Sequence, residues 1–407
     1  ALATAASGAT ASAALTVATA FPRALVVPQP AASTAVADTA RLLAAHGARA
    51  YAVVQTHAAP FRVSLVRSED GGATWAAPIL IASHPGPAAL EGQAIAIDAG
   101  NDDVVHVSLR VDAGDPAITR IADVGDRGAG SLVVLASSAD GGRTFSQRPL
   151  YAGGNGDAAL VELASPAPGV IVATASTPWI DADTGNAGQE LLTWRDAGAG
   201  LGAPALGDNG YAARWAPATT SRRLAHADIE SNAHGLGPRL AASRAGALCG
   251  VHAQTVNNAP DSAVLVRCSH DGGASWAASK GLGANGANAF SLVVSPVDGD
   301  LVWAESLEIG PDTRHIYRST DGGETFDVVV TESAEVTLIN GTLLAPHPTN
   351  ADVLYFVFGS NYADYGTDLY RYDHASSKVT KTHNAYDEVS SIVASPADPK
   401  VLYLGLT

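Results

Sequence analysis

One stretch of the sequence, Ser68-Glu69-Asp70-Gly71-Gly72-Ala73-Thr74-Trp75, recurs three times with small changes. The other copies begin at Ser138, Ser269 and Ser319, so that the shared pattern is Ser-x-Asp-Gly-Gly-x-Thr/Ser-aromatic. A repeat on this scale indicates an array of similar supersecondary units rather than one irregular core. The repeat therefore decides the fold class before any other feature of the sequence is considered.

Each copy follows a strand-like apolar run and precedes a weaker one, which predicts a β-hairpin with an Asp-Gly-Gly turn. The Asp carboxylate can accept hydrogen bonds from its own turn, and glycine adopts positive φ without steric cost. The Thr or Ser hydroxyl bonds back across the turn, and the aromatic ring packs against a neighbouring layer. We therefore interpret four aspartates as structural: Asp70, Asp140, Asp271 and Asp321.

The repeated pattern closely resembles the Asp box, or bacterial neuraminidase repeat. That motif occurs in sialidases, xyloglucan-cleaving glycosidases, sortilin-type receptors and a photosystem II assembly factor, on the turn between the third and fourth strands of a β-propeller blade. The resemblance implies an all-β propeller of four-stranded blades. Because the functions of these families differ, the resemblance does not imply a particular activity.

The number of blades is predicted from the box positions. Degenerate boxes at Asp196 and Asp373 raise the number of box positions from four to six. The C-terminus begins a further unit, and the N-terminus offers strand-like runs at residues 14–17 and 23–27 that would complete it as a seventh blade without an exposed edge. We favour seven blades, with six as the alternative. No Pro/Gly/Ser-rich linker divides the chain, so residues 1–407 are predicted to form one domain.

The composition limits the partners that the protein can have. The sequence has 24 Lys and Arg against 40 Asp and Glu, a formal net charge of −16. Nucleic acid and anionic membranes are poor partners for such a chain. Residues 1–20 have neither the pattern of an intact signal peptide nor a membrane-spanning length of apolar sequence. We therefore expect no membrane insertion, and we expect a monomer.

The two cysteines, Cys249 and Cys268, flank a turn signal rich in Asn, Pro and Asp. A hairpin folded about Asn258 and Ala259 pairs residues whose numbers sum to 517, which places the cysteines opposite each other at a separation that suits a disulfide. Two reduced buried thiols are the alternative. A disulfide would indicate a secreted, periplasmic or cell-surface protein.

Function in a propeller is expected in the loops opposite the box turns. Five such stretches are long or unusual: residues 112–130, 177–190, 207–237, 305–314 and 359–368. Their aromatic and acidic side chains would suit sugar stacking or protein contacts. The candidate ligand-binding residues are Trp179, Asp181, Asp183, Trp215, Glu230, Glu305, Tyr362, Asp364 and Tyr365.

Metal binding has one weak candidate. Asp181 and Asp183 alternate in the manner of a calcium loop, but Leu192 stands where an EF-hand needs a bidentate Glu. We therefore assign no metal site and expect no cofactor, with calcium as the one ion to test. The alternative is that this loop is a solvated acidic segment that binds no ion.

Catalysis has no recognisable motif in the sequence. A sialidase of this family carries Arg-Ile-Pro near its N-terminus, whereas Arg23 is followed by Ala24 and Leu25, and no catalytic residue can be assigned. Another glycoside hydrolase would need two carboxylates roughly 5–9.5 Å apart. We therefore predict an exported, non-catalytic recognition module for a glycan or protein, with a sialidase-like or other exo- or endo-glycosidase as the alternative. Two carboxylates converging in a central cleft beside Trp or Tyr would favour the enzyme.

Overall fold

The fold is an all-β propeller of four-stranded blades, as the sequence predicts. The computed structural model describes residues 23–25, 42–56, 60–84, 90–111, 132–153, 161–180, 187–196, 203–206, 212–216, 220–228, 239–242, 247–254, 263–273, 275–282, 287–308, 311–360, 366–384 and 389–406. Every regular secondary-structure element within these ranges is a β-strand. The strands form six hydrogen-bonded sheets.

Three of the sheets are simple four-stranded antiparallel units. The first contains β2 (Leu43–His46), β3 (Arg49–Thr56), β4 (Phe61–Ser68) and β5 (Ile79–His84). The second contains β10 (Val161–Ala167), β11 (Val170–Ile180), β12 (Ala187–Asp196) and β15 (Thr220–Asp228). The third contains β24 (Leu343–Pro346), β25 (Val353–Ser360), β26 (Gly366–Asp373) and β27 (Lys378–Asn384).

The other three sheets depart from this count. One has six strands: β6 (Leu90–Ile97), β7 (Val105–Val111), β8 (Leu132–Ser138), β9 (Ser146–Gly153), β14 (Ala212–Ala216) and β13 (Ala203–Leu206). One has eight: β16 (Arg239–Ala242), β17 (Leu248–Gln254), β18 (Ala263–Ser269), β19 (Ala277–Ala278), β20 (Ala287–Val294), β21 (Val302–Glu308), β22 (Thr313–Ser319) and β23 (Asp327–Thr331). One has three: β28 (Val389–Ala394), β29 (Val401–Leu406) and β1 (Arg23–Leu25).

The predicted number of seven blades, or six, is not reproduced as separate four-stranded sheets. Five of the six described sheets have four or more strands, and the sixth has three. The reason is hydrogen bonding between consecutive units. The eight-stranded sheet contains two four-strand runs that are joined where Val264 of β18 pairs with Asn288 of β20. Local strand patterns cannot reveal such a junction, because the pairing depends on how neighbouring units pack.

The two ends of the described chain meet in the three-stranded sheet. Arg23 of β1 pairs in parallel with Val401 of β29, and Leu25 pairs with Tyr403. The strand-like run at residues 23–27 thus includes a strand that pairs with the C-terminal unit. The other N-terminal run, residues 14–17, lies outside the described residues.

The first strands of the units surround the centre of the molecule. Each of these strands packs beside the next, and the last packs beside the first; in order they are β2, β6, β10, β16, β20, β24 and β28. The cores lie between the faces of adjacent sheets. Val63 and Leu65 of β4, for example, share a buried apolar cluster with Val105 and Val107 of β7. Alternation of apolar residues along each strand gives this arrangement, because successive side chains point to opposite faces.

The four Asp-Gly-Gly turns have the same hydrogen-bonded structure. In the first, the Ser68 hydroxyl donates to Asp70 Oδ1 (2.8 Å) and accepts from the Gly72 N–H (2.8 Å). The Thr74 N–H donates to Asp70 Oδ1 (2.8 Å) and its hydroxyl donates to Oδ2 (2.5 Å). The turns at Asp140, Asp271 and Asp321 repeat these four bonds. All eight glycines have φ between +68° and +90°.

The predicted cysteine hairpin is confirmed residue by residue. β17 and β18 pair so that Leu248 faces Ser269 and Gln254 faces Ala263, which keeps the residue sum of 517 throughout. Cys249 faces Cys268, and the two form a disulfide in which both residues are buried. Neither cysteine is free.

Candidate functional site

Two faces of the propeller can be distinguished by their connections. The turns between first and second strands lie beside the Asp-Gly-Gly turns, since the N–H groups of Gly71, Gly141 and Gly322 donate to the carbonyls of Ala48, Asp103 and Asp300 at 2.7–2.9 Å. We call this side, which includes the first turns at residues 47–48, 98–104, 295–301, 347–352 and 395–400, the turn face. The opposite side, with the other connections, is called the loop face.

Three aspartates of the Asp-Gly-Gly turns, Asp70, Asp140 and Asp321, have lowered pKa values because of hydrogen bonds within their own turns. Hydrogen bonds from the Thr74 hydroxyl and N–H and from Ser68 lower the pKa of Asp70 to about 2. At Asp321, burial opposes ionisation, but bonds from Thr325 and Ser319 outweigh it and lower the pKa to about 2. The pKa of Asp140 is lowered in the same way. Because both oxygens accept hydrogen bonds within the turn, these carboxylates stabilise the hairpin.

Six of the nine residues predicted to bind a ligand lie outside the described residues: Asp181, Asp183, Glu230, Tyr362, Asp364 and Tyr365. Trp179 lies in β11, where it pairs with Gly188 of β12 near the end of that hairpin. Trp215 lies in β14 and pairs with Pro204 of β13. Trp179 is therefore adjacent in sequence to the acidic loop at Asp181, and the ligand-binding role of this set stays a prediction.

Glu305 is the one predicted binding residue whose side chain is described. It lies in β21, is fully buried, and its Oε2 accepts a hydrogen bond of 3.1 Å from the Gly341 N–H, just before β24. This contact joins neighbouring units of the propeller. Burial raises the pKa of the Tyr317 phenol to about 12, and the negative charges of Glu308 and Glu305 add to this effect.

A second buried carboxylate, Asp368 of β26, was not singled out from the sequence. His383 Nδ1 lies 2.9 Å from its Oδ1, and Lys381 Nζ and the Tyr370 hydroxyl each lie 3.3 Å from its Oδ2. Asp368 is buried, whereas the His383 and Lys381 side chains are about half exposed. In the sequence, Asp368 is visible only as the last residue of the fifth loop stretch. The alternation of apolar residues does not identify which side chains face its carboxylate. This arrangement supplies the buried carboxylate with hydrogen bonds and compensating charge.

The centre of the propeller contains a cavity of about 350 Å³. It is lined by the seven first strands and by residues of the adjoining turns, among them Leu43, Ile97, Leu240 and Leu344. The polar side chains among its lining residues are His46, Ser165 and Ser291, and none of the residues that line it in the described ranges is Asp or Glu. The converging pair of carboxylates that would indicate a glycosidase is therefore absent from the described cavity.

The part of the chain that the structure describes has neither a cluster of metal ligands nor a membrane-spanning helix. Within it, no group of three or more His, Cys, Asp or Glu side chains is arranged to hold a metal ion. Nor does it contain a helix that is long and apolar enough to cross a membrane.

Comparison with known proteins gives one clear relative. No family model matches the chain. The dispase autolysis-inducing protein of Streptomyces mobaraensis is 48% identical over 126 residues, which are 29% of this chain and 34% of the relative. The matched region thus spans about a third of the relative's length.

Solved structures similar in fold include several propellers. The propeller domain of the trilobed protease from Pyrococcus furiosus is 9% identical, with 86% of this chain and 88% of that chain covered, at a TM-score of 0.45. A puromycin hydrolase is 16% identical (91% and 52% covered, TM-score 0.44). The NanB sialidase from Streptococcus pneumoniae is 11% identical (91% and 68% covered, TM-score 0.36). We draw no functional conclusion from similarities of this size.

Proposed function

We propose that this protein is a non-catalytic recognition propeller that binds a protein partner. The observation that carries the proposal is the apolar central cavity. Glycoside hydrolysis needs a pair of carboxylates beside the sugar, and the described lining of the cavity has none. An apolar, concave site with few polar groups suits binding rather than hydrolysis.

The relative's name suggests the class of partner. The Streptomyces protein is named for inducing the autolysis of dispase, and it shares 48% identity with this chain over 126 residues. We infer that the partner is a protease and that binding promotes its self-cleavage. For this chain the role is a proposal, because the matched region spans about a third of the relative's length.

The test mixes the purified protein with dispase at equal concentration and follows dispase fragments by mass spectrometry over time. Faster appearance of self-cleavage fragments than in dispase alone is expected, and the reduced and heat-unfolded chain serves as the control. A glycan array, read for bound protein and for released sugar, is run in parallel. Released sugar would overturn the non-catalytic proposal, and glycan binding without release would replace the protein partner by a glycan.

We also propose that the chain is exported and forms one monomeric domain of four-stranded units with Asp-box turns. The disulfide supports export, because such bonds persist in oxidising compartments. The ring of seven first strands and the pairing of β1 with β29 support closure by the two ends. Light scattering after size-exclusion chromatography tests the oligomeric state: a monomer has a mass of 41.2 kDa, and a mass twice as large would contradict it.

A further inference from the structure

The central cavity lies towards the turn face of the propeller. The first strands run from the loop face to the turn face, and in the longer ones the cavity is lined by later residues rather than by the first. β6 begins at Leu90 but contributes Ile95, Ala96 and Ile97, and β28 begins at Val389 but contributes Ile392, Val393 and Ala394. The lining continues into the turns that follow. A ligand would therefore reach the cavity from the turn face.

The cavity has an apolar mouth on this face. Four prolines are among its lining residues: Pro296, Pro348 and Pro396 lie in three consecutive first turns, and Pro346 is the last residue of β24. Pro296 is exposed, and the next residue, Val297, is 46% exposed. Apolar surface is thus continuous from the rim into the interior, which is the form of a site for an apolar side chain.

Three carboxylates lie in the same first turns as the lining prolines. Asp298 and Asp300 follow Pro296, Asp398 follows Pro396, and all three are exposed. In the part of the chain that the structure describes, no ion pair is formed by any of the three. Oδ1 of Asp298 and of Asp398 accepts an N–H two residues later, at 3.0 and 2.9 Å, so the backbone of these turns is held in place.

A second group of charged side chains on the turn face is compensated by internal ion pairs. On the side of β3, β4 and β8, the carboxylate of Glu69 is surrounded by the guanidinium groups of Arg49, Arg67 and Arg143 at 2.7–3.2 Å. Arg49 also pairs with Asp103 at 2.9 Å. Charge there is compensated by arginines, whereas Asp298, Asp300 and Asp398 form no ion pair with any residue that the structure describes.

We propose that the proline-lined mouth is the docking site for a segment of the partner protein that carries a large aliphatic side chain flanked by Lys or Arg. The aliphatic group enters the cavity, and the cationic groups lie over Asp298, Asp300 and Asp398. Charge complementarity selects a cationic segment over an acidic one. At about 350 Å³ the cavity is at the small end of ligand pockets, so it suits a short segment rather than a folded domain. This inference rests on the proposed function as a protein-binding propeller.

The first experiment measures fluorescence anisotropy with three labelled peptides: Gly-Lys-Leu-Leu-Lys-Gly, Gly-Glu-Leu-Leu-Glu-Gly and Gly-Lys-Ser-Ser-Lys-Gly. We expect the first to bind and the other two to bind at least about tenfold more weakly, because each lacks one half of the recognition. Binding should weaken as salt is raised, since exposed charges are screened. Equal binding of the acidic peptide, or no binding of the first, overturns the inference.

The second experiment changes the rim charges. The triple variant Asp298→Asn, Asp300→Asn, Asp398→Asn keeps the turn acceptors and should weaken binding of the first peptide about tenfold, since each exposed carboxylate contributes a few-fold. The matched variant Glu324→Gln, Asp327→Asn, Glu335→Gln removes three exposed carboxylates away from the mouth and should change binding less than about twofold. Equal loss in both variants would mean general charge attraction only and would overturn the site. Equal melting temperatures verify that both variants fold.

Location is tested by crosslinking with a photoreactive leucine in the first peptide. Crosslinks are expected at Val294, Leu344 or Ile392, which line the cavity, and crosslinks elsewhere overturn the inference. Failure of the inference is distinguishable from failure of the proposed function. If the triple variant promotes dispase autolysis as well as the original chain does, the mouth is not the docking site, yet the binding function stands. If the original chain has no effect on dispase, the partner class is wrong.

Discussion

The hydroxyl of Tyr403 donates a hydrogen bond of 2.6 Å to the backbone carbonyl of Gly71, 332 residues earlier in the sequence. Tyr403 lies in β29, is 1% exposed, and meets Trp75 edge-to-face with ring centroids 6.1 Å apart. The C-terminal unit is thus packed against the first Asp-Gly-Gly turn. This contact makes the stability of the first turn depend on the last unit of the chain.

Replacing Tyr403 by Phe should lower the free energy of unfolding by about 1 kcal/mol, because the change leaves the Gly71 carbonyl without this buried donor. Urea denaturation followed by tryptophan fluorescence measures the change. Tyr317→Phe is the matched control, since Tyr317 is also 1% exposed and donates no hydrogen bond within the described residues. A loss as large in the control would mean that the hydrogen bond to Gly71 contributes nothing specific.

Replacing Gly72 by Ala should destabilise the protein by roughly 2–5 kcal/mol, from left-handed strain and overpacking together. Gly72 has φ +87°, and an added Cβ would lie 2.4 Å from Cε1 of Tyr403. Gly169→Ala isolates the first effect, because Gly169 has φ +69° but no neighbour within 4 Å of an added Cβ. Denaturation of the two variants should differ by the packing cost, and equal losses would show that the contact with Tyr403 relaxes freely.

Removing the disulfide should cost about 3 kcal/mol, because the bond closes a loop of 19 residues in the unfolded chain. The change is Cys249→Ala with Cys268→Ala, and the readout is the denaturation midpoint with and without dithiothreitol. The original protein should lose stability on reduction, whereas the double variant should not respond. Identical midpoints for the original protein in both conditions would contradict this expectation.

Acid should weaken the Asp-Gly-Gly turns between about pH 4 and pH 2. The folded-state pKa values of Asp70 and Asp321 are about 2, below the unfolded value of about 3.9. A depressed folded pKa gives stability that is present above pH 4 and is lost as the pH falls through 2. Asp321→Asn should therefore melt earlier than the original protein at pH 7, and the gap should narrow towards pH 2. Glu335→Gln, an exposed change, is the control, and a gap that stays constant would contradict the linkage.

Hairpins and turns were readable from the sequence because they depend on neighbouring residues. The sum rule about Asn258 gave the pairing of Cys249 with Cys268, and the same turn chemistry recurs at Asp373, whose carboxylate accepts from the N–H and hydroxyl of Ser376. The candidate site was harder to predict from the sequence. Glu305 read as a loop-face carboxylate but is buried against Gly341, and the cavity is built from short apolar strands far apart in the sequence.

The sequence by itself determined the repeated unit. Ser, Asp, Gly and Thr at fixed spacing specify the hairpin turn through hydrogen bonds that span four residues, and alternation of apolar residues specifies the strands. Only the tertiary structure decided what surrounds each turn. The second glycines at Gly72, Gly142 and Gly323 lie against Tyr403, Leu65 and Cys268 of the neighbouring units. It also decided which units share a sheet and what lines the central cavity, since packing between units joins residues that no local pattern connects.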